Sequence, residues 1–168
     1  MNRYTYIRRF AEAVRDSEEI LNHCAETFGC GALVQIDDNP AAPLGSDSAP
    51  WICFMSWPTA ALGPVADAME SVIAIGVGVV SPVEDNAGLS ETVTQRSDIA
   101  NGLEVFGNAK AAEELLSLVI KVTESVTMTS NSIVRTVDVD SDGWTQLPLQ
   151  TATAILTVSE IRTFQTGA

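Results

Sequence analysis

Positive charge is what this sequence has least of. Its 168 residues hold nine lysines and arginines against 22 aspartates and glutamates, a formal net charge of −13. Between Arg15 and Arg96 there is no lysine or arginine, while twelve acids fall there: Asp16, Glu18, Glu19, Glu26, Asp37, Asp38, Asp47, Asp67, Glu70, Glu84, Asp85 and Glu91. Nucleic-acid binders draw their affinity from cations that neutralise phosphates, so this layout argues against conventional DNA or RNA binding. It leaves open solubility alone, a negative surface facing DNA that must not stick, or contact with a basic partner.

Long apolar runs are also missing. The longest, Val72 to Val80 ("VIAIGVGVV"), falls far short of the roughly 20 residues that span a bilayer. The first residues, "MNRYTYIRRFAEAVRDSEEI", carry arginines with no apolar stretch behind them, so no secretory signal is expected and the mature chain should start near Met1. Three cysteines (Cys24, Cys30, Cys53), odd in number and without repeated spacing, argue against a disulfide framework and for a reducing cytosol, with all three serving as small apolar residues. With 46% hydrophobic and 18% charged residues, the chain should fold as a soluble single domain over 1–168, burying roughly 70% of the surface the unfolded chain exposes.

Catalytic signatures are absent too. No G-x-S-x-G elbow, phosphate-binding P-loop or complete G-x-G-x-x-G occurs; "GVG" lies inside an apolar run. The single histidine, His23, would need Cys24, Cys30 and Cys53 to converge on it for a zinc site, and no C-x-x-C or H-x-x-x-H spacing supports that. Pairing His23 with a Cys24 nucleophile fails on geometry, because adjacent helical residues point in different directions. Two of the 22 acids could meet in space as a hydrolytic pair, but a solvated acidic face explains them more simply. The expectation is no enzyme, no cofactor and no bound metal.

What is present reads as alternating helix and strand. From Thr5 to Phe28 the apolar residues Ile7, Phe10, Val14, Leu21, Cys24 and Phe28 mark one helix face, stopped by Gly29 and Gly31. Asp16 with Glu19 resembles a capping box, which would split the helix near Ser17. Arg3, Arg8, Arg9 and Arg15 form the only dense basic patch. Strands are expected at "ALVQIDD" and "WICFMSW", joined by a Pro/Ser/Asp-rich loop at 37–50. "TAALGPVADAMESV" could hold a short helix with Pro64 in its first turn. "SVIAIGVGVVS" is apolar on both faces, as a central strand is. A long polar loop at 81–101 follows, then a short strand "GLEVFGN", with Asn108 as N-cap of a helix striped by Ala112, Leu115, Val119, Val122 and Val126. Glu113 and Glu114 fall early in that helix, where the dipole favours them. Two strands close the chain, "SIVRTVDV" and "TATAILTVSEIRTFQ", the second alternating Ala154, Leu156, Val158, Ile161 and Phe164 with a slip near Glu160 that a bulge would explain. The fold class is α+β, two main helices packed on one mostly antiparallel sheet.

Between the last two strands, "DVDSDGW" places Asp138, Asp140 and Asp142 at positions 1, 3 and 5 of a calcium loop, with Gly143 at position 6. Position 12, which needs a bidentate glutamate, is Leu149, and strand-like flanks replace the helices such a loop requires. A solvated hairpin turn with Asp142 and Gly143 at its tip is the better reading.

With the order laid out, the chain resembles the tail terminator and related head-to-tail neck proteins of long-tailed bacteriophages. The likeness rests on the opening helix that ends at glycine, "PWICFMSW", an apolar strand followed by a long polar loop, "FGNAKAAEELLSLVIKV" entering an amphipathic helix, and the C-terminal "AILTVSEIRTF". The resemblance implies a virion subunit, made in the host bacterial cytoplasm, that forms a typically six-fold ring. That ring caps the tail tube, joins it to a neck or head-completion protein, and lets DNA pass without specific binding. The 81–101 loop and the arginine-rich start are the expected contact segments. Another head-tail joining, tube or minor tail protein, or a small calcium- or ligand-binding module built on Asp138, Asp140 and Asp142, are the alternatives.

Overall fold

A computed structural model describes residues 3–56, 68–80, 107–126, 132–140 and 149–161. The described elements run α1 (Arg3–Arg15), α2 (Glu18–Phe28), β1 (Leu33–Ile36), a 3₁₀ turn (Ser46–Ser48), β2 (Trp51–Ser56), β3 (Ala68–Val80), α3 (Gly107–Ser125), β4 (Ser132–Asp140) and β5 (Leu149–Ile161). The five strands form one mixed sheet in the order β1-β2-β3-β5-β4, with only the β1–β2 pair parallel. This is the α+β architecture expected from the sequence, with the opening helix divided into two.

That division falls at Ser17. Its side chain accepts a hydrogen bond from the backbone N–H of Ile20, capping α2, and Gly29 ends α2 in the left-handed conformation at φ 71°. Asp16, expected to cap, instead pairs with Arg15, so the cap sits one residue later than the Asp16–Glu19 spacing suggested.

The helices pack on one sheet face. Odd-numbered residues of β3 (Ile73, Ile75, Val77, Val79) join Ile52 and Phe54 of β2 and Ala152, Ala154, Leu156 and Val158 of β5 beneath Tyr6, Ile7, Phe10 and Val14 of α1, Ile20 and Cys24 of α2, and Ala112, Leu115, Leu116 and Val119 of α3. The stripe expected on α3 is therefore its core face, with Val122 and Val126 partly buried at its end. On the opposite sheet face Trp51, Cys53, Val72 and Ala74 are buried as well. From Ser71 to Val79 both sides of β3 are out of water, which is why its sequence shows no alternation there.

Three local expectations need correcting. β3 begins at Ala68, so Ala68–Glu70 are strand rather than part of a short helix; they pair with Ile161–Ser159 of the long β5. The proposed helix around Pro64, the 81–101 loop and most of "GLEVFGN" lie outside the described residues. α3 starts at Gly107, placing Asn108 inside its first turn instead of at the cap. The bulge falls on β4, between Thr136 and Asp138, while β5 pairs with β3 without interruption and Glu160 sits opposite Met69. Finally, the 37–50 segment is long because β1 and β2 are parallel, and a parallel crossover needs about a dozen residues. It leaves β1 through Asp37, at φ 60°.

Candidate functional site

The residues that could have formed a zinc or thiolate site differ in burial. Cys24 faces the core from α2, Cys53 is buried on β2, and Cys30 stands exposed beyond the Gly29 cap, contrary to its expected role as an apolar residue. Burial pushes the Cys24 thiol up to about 11, aided by the neighbouring Cys30 and opposed by a hydrogen bond from the Ala32 backbone. Burial likewise pushes Cys53 up to about 11, with Asp38 and Asp37 adding to the effect, and its Sγ–H points at the Asp37 carbonyl at 3.8 Å. Thiols this far above neutral pH are poor nucleophiles. The ring of His23 meets Phe28 edge-on, with centroids 6.1 Å apart. Among the described residues no three metal-ligating side chains gather.

The aspartate run sits on strands at both ends. Asp138 and Asp140 belong to β4, in register with Ile155 and Thr153, and Leu149 opens β5. A calcium loop flanked by helices does not fit this backbone. Residues 141–148, with Asp142 and Gly143, lie outside the described residues.

The basic patch is largely occupied. On α1, Arg8 Nε donates to Glu12 at 2.9 Å and Arg15 to Asp16 at 2.7 Å, all four side chains facing water. The Arg15 hydrogen bond holds the Asp16 carboxyl below its ordinary value, and Arg8 and Arg15 are each raised by their carboxylate partners. Across the helices, Lys121 Nζ of α3 reaches Glu19 of α2 at 2.6 Å.

Beside that bridge, α2 and α3 frame an open groove of about 620 Å³ lined by His23, Glu113, Glu114, Ser117, Leu118 and Lys121. Leucines and valines turn one side of α3 into the core, which leaves Glu114, Ser117 and Lys121, at i, i+3 and i+7, along its wet side. The Nε2 of His23 is out of water and has no hydrogen-bond partner. A buried polar atom without a partner is costly. Sequence reading missed this groove because it exists only where α2 crosses α3. The polar stripe of α3 and the isolated histidine were its only signals.

Comparison with protein-family profiles and with curated proteins finds no match for the chain. No helix among the described residues is long and apolar enough to cross a membrane.

Proposed function

We propose that the chain is a structural subunit of a long-tailed phage particle, a tail terminator whose copies form a ring, six-fold as the resemblance implies. The ring caps the tail tube, joins it to the neck and lets DNA pass, with no catalytic step. The observation that carries this reading is the fate of the cations. In a chain of net charge −13, three of the nine cations, Arg8, Arg15 and Lys121, are each engaged by a carboxylate, which leaves six cations against 19 acids in the rest of the sequence. A surface of that sign repels a phosphate backbone, as the wall of a conduit for DNA must. Negative-stain images of purified protein mixed with terminator-less tail tubes test the reading: rings seated on tube ends support it, and bare tube ends rule it out.

A further inference from the structure

At the end of α2 the chain turns back over its own last buried side chain. The N–H of Gly29, left-handed at φ 71°, donates to the Ala25 carbonyl at 3.1 Å, and the Ala32 backbone returns as a hydrogen-bond donor to the Cys24 sulfur. Cys30 lies in the short stretch between those two anchors, six residues after Cys24. A helix that ends this way sets the residue after the left-handed one against the side chains five and six positions earlier, here Cys30 against Ala25 and Cys24. The electrostatic influence of Cys30 on Cys24 reports the same proximity. Cys53, whose electrostatic neighbours are Asp38 and Asp37, stands outside the pair.

The two thiols differ in access. Cys24 is fully buried in the core, and Cys30 is exposed. Cys30 also stands between Gly29 and Gly31, where a β-carbon on either glycine would meet nothing within 4 Å. Glycine on both sides lets Cys30 swing inward at little backbone cost while Cys24 keeps its place.

We propose that Cys24 and Cys30 form a reversible disulfide clasp that ties the end of α2 to the segment entering β1 when the chain meets an oxidising medium. It stands independently of the ring reading. The oxidant is a small-molecule disulfide. The Cys30 sulfur attacks one of its sulfurs, breaking that S–S bond and releasing one thiol; the Cys24 sulfur then attacks the Cys30 sulfur, breaking the mixed disulfide and releasing the second. The two cysteine protons end on the two departing thiols, and two electrons pass from the cysteine pair to the reagent. Burial keeps the proton on Cys24, so the second exchange is the slower one. In a reducing medium the clasp stays open, as pairs of the redox-sensing kind do.

The test incubates the folded full chain with oxidised glutathione and reads the products by intact mass and peptide mapping, beside Cys30→Ala, Cys24→Ala and Cys53→Ala. The expected product, in the wild type and in Cys53→Ala, is a chain two hydrogens lighter with Cys24 joined to Cys30 and no glutathione retained, reopened by dithiothreitol. Cys24→Ala should stop at the mixed disulfide on Cys30. Cys30→Ala, an exposed change that leaves the core intact, should form no link. Closing the clasp should raise the melting temperature by about 3–6 °C. Glutathione retained on wild-type Cys30 without a link, a disulfide between Cys30 of two copies, or a link to Cys53 overturns the proposal. A Cys24–Cys30 link that forms only in urea, or that lowers the melting temperature of the folded chain, shows that the native fold does not bring the two sulfurs together and overturns it as well.

Discussion

Trp51 on β2 and Gly78 on β3 face each other in register, and the indole lies where a side chain at Gly78 would have to be. A β-carbon there would stand 2.6 Å from the indole Nε1 and closer still to two ring carbons, whereas one at Gly76 would meet Cζ3 at an ordinary 3.5 Å. The glycine pair thus makes a floor for the tryptophan on the sheet face opposite the helices.

Gly78→Ala should destabilise the protein by about 1–3 kcal/mol, because the indole must move out of its place on the sheet. Gly76→Ala should cost much less. Urea unfolding of the two variants checks this, and equal losses would contradict the placement of Trp51.

That pair also marks how far the sequence could be read. "GVG" was visible only as a nucleotide motif lacking its third glycine, because the indole that explains it comes from a strand more than twenty residues earlier. The stripe of α3 and the two-sided burial of β3 were legible, since periodicity of 3.6 and unbroken apolar runs report burial directly. Strand order was not: β5 inserts between β3 and β4, and nothing local encodes which neighbours a strand finds. The β1–β2 crossover was seen as a loop without its cause, because parallel pairing is a property of two strands rather than one.

Ser17→Ala should cost about 1 kcal/mol through loss of the bond to the Ile20 N–H, while Asp16→Ala, which removes an exposed pair, should change stability little. Thermal melting separates them. A larger loss at Asp16 would move the cap back to the residue that sequence spacing favoured.

The two buried thiols set a pH dependence. Their folded values, about 11, stand above the ordinary value of 9.0, so the folded state holds these protons more tightly than the unfolded chain. Their contribution is fully present below about pH 9 and falls as pH rises towards 11. Stability of the wild type should drop more steeply over that window than stability of Cys24→Ala with Cys53→Ala, measured by urea unfolding at each pH. At pH 7.5 a thiol reagent should modify Cys30 rapidly and the other two only on unfolding.

Calcium should not shift the melting temperature relative to chelator, since Asp138 and Asp140 lie in a strand ladder. A ligand that binds only the native state must stabilise it, so a rise of several degrees that Asp140→Ala removes would restore the cation site.

The central claim is assembly into a ring, and the mass of the purified full-length chain tests it most directly. Light scattering across a concentration series should show a species at a small whole-number multiple of 17.9 kDa, six-fold under the proposed function. A 17.9 kDa species at every concentration, unchanged when tail tubes are added, would contradict it.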